Sequence, residues 1–542
     1  MTMQRVQNTG FAERNPSQKK AIAHVAGPMM VLAGPGSGKT SVIVERIADL
    51  IQEREIPAAS ILVVTFSRAA AREMKERYLK RTDRSRTEVT FGTFHSIFYG
   101  ILKAAYHLES GNILSEEEKL GILKELIQEY GGDLAEDADF PREIAKEIRL
   151  VKGNRIRLEH YYSSSCPDEV FRQICEGYRK VCEGRRKLDF DDMLVYCYEL
   201  FVKRPDILAV WQKKFRYILV DEFQDISMDR YRFLQALRRD QPLTKLFCVG
   251  DDWQSIYRFA GSDMALFNQF EKFFGYTKRC LMETTYRFGE PAIAESSRFI
   301  LVNPVQAIKK VHPFNANAET SLSFISTDGV ADEVATIKSL LDQIPQDKKV
   351  IIIGRYSFDV RIFKDTDFVV HDSKDRVYLS IGKRKINYLT IHKSKGLESD
   401  YVILINCNGG TLGFPSQISD SPILKYVLSE PDAYDFSEER RVFYVGITRA
   451  KKKTWVLYDK NNPSIFIKEF VKNLDDEKNA VVSIPEAELC PKCRCGRVKV
   501  DHKGIATNGN PFSLLVCTNN KYGCDYREYR FINLNSRQRT RR

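Results

Sequence analysis

The sequence predicts an α/β fold built on parallel sheets, and three observations predict it. Residues 29–32 (MMVL) read as a short apolar strand, and a helical pattern, SVIVERIADLI, starts at Ser41, with three glycines in the turn between them. The run FRYILV from Phe215 is apolar enough for a strand buried on both faces of a parallel sheet, and it ends on two acids. Between these lies EEEKLGILKELIQEY (116–130), whose apolar residues recur with helical spacing.

The turn at 33–40 reads AGPGSGKT. Gly34, Gly36 and Gly38 let the backbone approach a phosphate closely, and its N–H groups face the anion at a helix N-terminus. Ala33, Pro35 and Ser37 complete the cradle, and Ser41 follows it. Lys39 would reach the β- and γ-phosphates, and the Thr40 hydroxyl would ligate Mg²⁺. Ala33 stands where the strict pattern has glycine. Asp221 and Glu222 arrive at the C-terminal end of the second strand, where ligand sites of such sheets lie. Asp221 suits the Mg²⁺ shell, and Glu222 suits activation of an attacking water. Phosphate loop and acid pair, roughly 180 residues apart, together indicate ATP hydrolysis.

Length and charge set the frame. The 542 residues imply about three or four domains. The longest apolar runs are far shorter than the ~20 residues of a membrane span, and residues 1–16 lack an apolar signal core, so a cytoplasmic protein is expected. The net charge of +12 is uneven: from Cys490 to Arg542 there are twelve Lys/Arg against three Asp/Glu, which leaves +3 for everything before. A basic end on a nearly neutral body points to a phosphate-binding appendage. Seven of the twelve cysteines are scattered singly, as in a reducing compartment, and five cluster at the C-terminal end.

Further stretches fall in a fixed order: NPSQ (15–18), VVTFSRAAAREM (63–74), TFGTFHSIF (90–98), LDFDDML (188–194), VGDDWQSIYRFAGSD (249–263), TTYRF (284–288), LTIHKSKGLESDYVIL (389–404) and EERRVFYVGITRAK (438–451). In content, order and spacing, residues 8–458 resemble the UvrD/Rep/PcrA family of superfamily 1 DNA helicases. The resemblance implies two RecA-like domains closing on ATP. It assigns Gln18 to the adenine, Tyr286 to stacking on the base, Glu398 to the ribose and Gln254 to the γ-phosphate. Arg287 and Arg449 resemble arginine fingers. Phe66, Tyr257 and Phe259 resemble rings that stack on bases of single-stranded DNA, Thr93 and His95 a backbone-contacting pair, and His392 a link from DNA to the ATP site. The family moves 3′ to 5′.

The expected division is a first RecA-like domain (1A) at 1–100 and 206–283, a helical insertion (1B) at 101–205, and a second RecA-like domain (2A) at 284–460. A linker (461–489), a zinc ribbon (490–530) and a basic tail (531–542) follow. Ser41, Thr285 and Ser399 replace an Arg, an Asn and a Phe common in relatives. Only about 100 residues separate Arg287 from LTIHKSKGLE, so the large 2B insertion of full-size relatives is expected to be missing, its place filled by HDSKDRVYLSIGKRK (371–385).

At the C-terminal end, CPKC (490–493) and C-x₆-C (517–524) can close a tetrahedral Zn²⁺ site through Cys490, Cys493, Cys517 and Cys524, with Cys495 and His502 as spares. The pattern is similar to the zinc ribbon of type IA topoisomerases. So small a domain draws most of its folding energy from the metal. Its interleaved basic and tyrosine residues fit single strands or single-strand/duplex junctions; a protein-docking module is the competing reading. The expected cofactors are therefore ATP, Mg²⁺ and Zn²⁺, in a monomeric helicase with DNA repair among its settings. The alternatives are a translocase that strips proteins without unwinding, an ATP-switched nucleic-acid adaptor, and an RNA motor.

Overall fold

A computed structural model describes residues 14–470, apart from 26, 154–155, 242, 374–375, 419–423, 425–427, 430–431 and 433, and then residues 490–492, 498–505, 511–517 and 525–531. Two parallel sheets organise the body. The first consists of β1 (Met29–Ala33), β2 (Ile61–Thr65), β3 (Thr90–Thr93), β4 (Tyr217–Val220), β5 (Lys245–Gly250) and β6 (Lys278–Met282), in the order β3-β2-β4-β5-β1-β6. All five pairings are parallel. Its strands are apolar throughout because both faces are covered. Met29, Val31, Ile61 and Val63 face α1 (Pro16–Ala23), α2 (Lys39–Gln52) and α3 (Arg68–Thr82), whereas Met30, Leu32, Leu62 and Val64 face the opposite core.

The helices expected as one insertion fall into two groups. α4 (Phe94–Tyr106) packs on the first sheet. Next, α5 (Glu116–Tyr130), α6 (Phe140–Gly153) and α7 (Asp168–Gly184) share a separate core around Ile122, Ile144, Ile148, Phe171 and Ile174. α8 (Phe190–Lys203) and α9 (Pro205–Lys214) return to the first sheet through Met193, Leu200, Phe201 and Trp211. The periodic stretch 116–130 is the helix it promised, started by a Ser115/Glu118 capping box with three glutamates in its first turn. Lys119 of α5, buried, pairs with Asp189 (3.3 Å) and Asp191 (3.1 Å) at the start of α8 and so ties the three-helix group to the sheet-packed one. The first-sheet region closes with α10 (Met228–Arg238), α11 (Met264–Asn268) and α12 (Phe270–Phe274).

The chain then crosses over. β7 (Thr284–Thr285), β8 (Glu290–Pro291) and α13 (Ala292–Leu301) lead to a strap that returns to the first sheet and ends in β9 (His312–Pro313), which pairs with β7. The second sheet takes β10 (Glu319–Thr327), β11 (Val350–Gly354), β12 (Val369–Asp372), β13 (Val377–Ile381), β14 (Arg384–Thr390), β15 (Ser399–Leu404) and β16 (Ala450–Asp459), in the order β12-β13-β14-β11-β15-β16-β10-β8. β12, β13 and β14 pair antiparallel and the rest parallel. α14 (Gly329–Gln343) covers one face, and α13, α15 (Ile391–Ser394) and α16 (Ser437–Ile447) cover the other. The described residues of the stretch 371–385 thus pair antiparallel at the sheet edge, with Leu379 buried in the second-sheet core.

The first ten residues of the expected linker, 461–470, are the ones the structure describes. Residues 465–470 are helical, and Phe466, Ile467 and Phe470 are buried in the second-sheet core. Two of these rings stand four residues apart and so share a helix face, which the acidic stretch behind them masks in the sequence. A separate antiparallel sheet, β17 (Val498–Ile505), β18 (Pro511–Cys517) and β19 (Arg527–Phe531), forms the C-terminal unit. Among the described residues no helix is long and apolar enough to cross a membrane.

Candidate nucleotide site and nucleic-acid cleft

The loop between β1 and α2 is shaped by its glycines. Gly36 (φ +69°) and Gly38 (φ +80°) take left-handed backbone that side chains rarely adopt. Ser37 Oγ is buried without a hydrogen-bond partner among the described residues, and Thr40 is the second residue of α2. Lys39 Nζ lies 3.3 Å from Glu222 Oε1. Burial works against its charge, but Glu222, Asp251 and Asp221 outweigh that and hold its pKa above the usual lysine value. Burial and the neighbouring Glu222 push Asp221 up to about 7. Burial opposes the charge of Glu222 too, yet Lys39 and Lys395 hold its pKa down at about 2. A buried acid forced up beside a second acid is a site short of positive charge. Together with an orphaned hydroxyl and a glycine cradle, this donor set fits a magnesium-bound polyphosphate, with Thr40 and Asp221 as the residues to hold the metal.

Side chains from the second half of the chain close over this loop. The Tyr286 N–H donates to Gly36 O (2.9 Å), and a methyl group on Gly36 would stand 2.5 Å from Arg287 Cβ, so the TTYRF segment lies directly on the loop. Thr285, which replaces an Asn of relatives, is buried and accepts from the Arg287 N–H (3.3 Å). Arg287 Nε donates to Glu398 (3.2 Å), whose other oxygen meets Lys451 at 2.6 Å, so the expected ribose ligand holds two cations here. Arg449 is fully buried and donates to Gln254 Oε1 (3.2 Å). Burial, then Arg287, lowers its pKa to about 9. Gln18 donates to Ser37 O (3.1 Å) and accepts from Tyr286 Oη (3.4 Å), which brings the two residues assigned to the base together. Ser41 is exposed at the start of α2, and Ser399 is buried beside Arg449, its N–H donating to Arg449 O (3.1 Å).

The aromatics assigned to DNA form one continuous group. Phe66 and Tyr257 stack at 5.1 Å, Phe259 lies 6.0 Å from Tyr257, and His392 meets Phe259 edge-on at 5.2 Å. Phe66 and Phe259 are exposed, and the Arg230 guanidinium lies 5.3 Å from the Phe66 ring. Phe259 and His392 border a cleft of about 1650 Å³ between the two sheets, lined also by His95, Arg230, Arg258 and Arg355. Burial, then an arginine (Arg230 for His95, Arg355 for His392), lowers both histidines to about 4. Thr93 caps α4, its hydroxyl accepting from the Ser96 N–H (3.3 Å).

Four side chains that the sequence reading passed over complete the arrangement. Phe314 stacks on Tyr286 at 4.6 Å. Lys395 reaches Asp225 (2.5 Å) and Gln254 O (2.6 Å) while lying 4.8 Å from the Tyr257 ring, so one ammonium touches both the acid loop and the aromatic group. Asp225 follows the DE pair by three residues, a spacing that marks it in retrospect. Lys309, from the strap, pairs with Asp251 and Asp252; no spacing in its surroundings signals it.

At the C-terminal end, Cys490 and Cys517 are buried together, with Val498 and Tyr526 packed against them. Cys493, Cys495 and Cys524 lie outside the described residues, and among those described no three His, Cys, Asp or Glu converge on a metal position.

Comparison with known proteins agrees with this geometry. Residues 14–275 match the UvrD/REP helicase N-terminal domain, and residues 365–461 match the UvrD-like helicase C-terminal domain. DNA helicase IV of Escherichia coli (strain K12) is 30% identical over 505 residues, spanning 85% of this chain and 70% of that protein. The ATP-dependent DNA helicase PcrA of Bacillus subtilis (strain 168) is 29% identical over 375 residues, 67% of this chain and 50% of its own length. For DNA helicase II of Escherichia coli (strain K12) the figures are 32% over 311 residues, 56% and 42%. The chain therefore spans about half the length of the latter two. The first matched region carries the phosphate loop and the second carries Arg449, and the chain belongs to the UvrD/Rep family of ATP-dependent DNA helicases.

Proposed function

We propose that this chain is a DNA-stimulated ATPase that moves 3′ to 5′ along single-stranded DNA and opens duplexes at single-strand/duplex junctions. The observation that carries the reading is the contact chain across the cleft. Gln254 and Arg449 meet at one end, Phe66, Tyr257, Phe259 and His392 gather at the other, and Lys395 touches both groups.

Bound Mg²⁺ would supply charge neutralisation for the transferring phosphoryl group. Lys39 binds the phosphates after releasing Glu222, and Glu222, still held ionised by Lys395, accepts a proton from the attacking water. Arg287 and Arg449 face the developing charge, and Gln254 reports its presence to the second sheet. Tyr286, Phe314 and Gln18 hold the base. Rings in the cleft stack on DNA bases without reading their sequence, and shifts of Lys395 between its two sets of partners transmit the state of one site to the other.

The domain division follows the packing: 1A on the first sheet, 1B in the α5–α7 group, 2A on the second sheet. The stretch between Arg287 and β14 is used up by elements of the second sheet and the strap, which supports a motor without a 2B insertion. For the C-terminal sheet we favour a zinc ribbon that meets DNA; buried Cys490 and Cys517 supply two thiols of the kind Zn²⁺ takes.

The deciding experiment is ATPase rate with and without single-stranded DNA, for wild type and Arg449→Ala, together with unwinding of a forked duplex. An arginine finger contributes roughly 10³–10⁵ in rate in related P-loop enzymes, so DNA stimulation should vanish in the variant. A finger-dependent rate indifferent to DNA would overturn the motor. Stimulation without unwinding would leave a translocase that strips bound proteins.

A further inference from the structure

The strap between α13 and β10 carries a lysine that the reaction as derived so far does not use. The side chain of Lys309 is fully buried (0 % exposed), as is Asp251 beside it. Its ammonium donates to Asp251 Oδ1 at 2.5 Å, to Asp252 Oδ1 at 2.7 Å and to Ala33 O, in the phosphate loop, at 3.3 Å. All three of its N–H groups are thus spoken for, and the Trp253 ring lies 4.3 Å away. The strap itself is pinned: Trp253 Nε1 donates to Ala307 O (2.9 Å), and the Ala307 N–H donates to Asp252 Oδ2 (2.7 Å).

Asp251 is the important partner. One of its oxygens accepts a hydrogen bond from the Lys309 ammonium, and the other accepts from Gln254 Nε2 at 2.5 Å. Gln254 in turn presents Oε1 to Arg449. A continuous line of bonds therefore runs from the phosphate loop through Lys309, Asp251 and Gln254 to the arginine of the second sheet. Two adjacent buried acids and one lysine are costly to desolvate, and apolar packing would fill the space more cheaply. The ion set here fixes the direction of a side chain, because a carboxylate locked by a lysine gives Gln254 one rotamer.

We propose that Lys309 is a positioning residue for ATP hydrolysis, locking Asp251 so that Gln254 is held where it meets Arg449. The inference rests on the ATPase reading above. The Lys309 ammonium is committed to three protein oxygens, so its effect passes through Asp251 to Gln254.

The test uses the full chain with Lys309→Met and the double variant Lys309→Met/Asp252→Asn, which removes one charge of each sign and leaves Asp251 unlocked. DNA-stimulated kcat, KM for ATP, binding of a fluorescent ATP analogue and thermal unfolding are measured for each. Lys309→Met should lower kcat by about tenfold or more while KM and analogue affinity stay within about threefold, the pattern of a lost transition-state interaction. The double variant should regain thermal stability and remain slow, which a purely structural lysine would not produce; it carries the test if the single variant fails to fold. A folded variant with kcat near wild type, a double variant that recovers its rate, or a folded Lys309→Met that loses analogue binding overturns the proposal. Wild-type protein without DNA-stimulated ATPase would instead strike at the underlying reading.

Discussion

Gly36→Ala isolates the contact between the phosphate loop and the second half of the chain. The added methyl would lie 2.5 Å from Arg287 Cβ and 2.8 Å from Thr285 Oγ1. Carbon atoms ordinarily meet at about 3.5–4.0 Å, so the TYR segment has to retreat by roughly 1 Å. The residue must also keep φ near +69°, which costs an L-amino acid about 1–2 kcal/mol. Retreat stretches the bond from the Tyr286 N–H to Gly36 O and draws Arg287 away from the phosphates. A displacement of about 1 Å at a catalytic group costs on the order of 10² in rate, or about 2.7 kcal/mol of barrier. The assay is kcat and KM for ATP at saturating single-stranded DNA, with thermal unfolding as a check on folding. We expect kcat about a hundredfold lower. Gly34→Ala is the comparison: it meets only Met282 O and Val311 Cγ2, both at 3.4 Å, and should be milder by about tenfold. A Gly36→Ala enzyme within about threefold of wild-type kcat would refute the idea that close seating of Arg287 on the loop matters.

Phe259→Ala removes an exposed ring from the cleft and should weaken single-stranded DNA binding by about 1–3 kcal/mol in fluorescence anisotropy, leaving DNA-independent ATP turnover intact; unchanged affinity would remove Phe259 from the interface. His392 contributes through its lowered pKa of about 4, against an ordinary value near 6.5. The folded state binds this proton less readily than the unfolded chain, so the stabilisation is complete above pH 6.5 and is lost as pH falls toward 4, amounting to about 2 kcal/mol by pH 5. Urea denaturation at pH 7 and pH 5 should therefore show a smaller pH difference in His392→Asn than in wild type, and an equal difference would contradict the assignment. Finally, purified protein should contain about one zinc per chain, and its removal by a strong chelator should expose β17–β19 to hydrogen exchange while ATPase persists. Exchange in that sheet unaffected by chelation would rule out a structural metal there.

The nucleotide site was legible because its chemistry is local. A phosphate loop needs its glycines within a few residues, and Asp221–Glu222 needs only an apolar strand before it. Arg287, Arg449, Gln254 and Tyr286 were singled out by the order of motifs; Tyr286 and Arg287 lie on the loop, and Arg449 and Gln254 meet each other. Lys309 and Phe314 were not found, since each is made functional by a strap that doubles back between the sheets and no local pattern encodes that return. Helical periodicity gave α5 to the residue but not its partners: an amphipathic face says that a surface is buried, not against what. The packing therefore assigns α8 and α9 to the first sheet, although by pattern they read like α5. In the same way Phe466 and Phe470 were lost in a polar stretch, although they seal the second core.

The antiparallel strands β12 and β13 stand at the outer edge of the second sheet, beyond β14 and its parallel neighbours. An edge of this kind is where a chain can lengthen in evolution without breaking an existing ladder. The cost of a longer excursion there grows only with the logarithm of its length, about 0.6 kcal/mol for each doubling. Whatever is grafted at this corner inherits a fixed footing beside the cleft, since β14 runs directly into His392. The same motor can thus carry a short hairpin or a whole regulatory module at one seam, with the ATP machinery unaware of the difference.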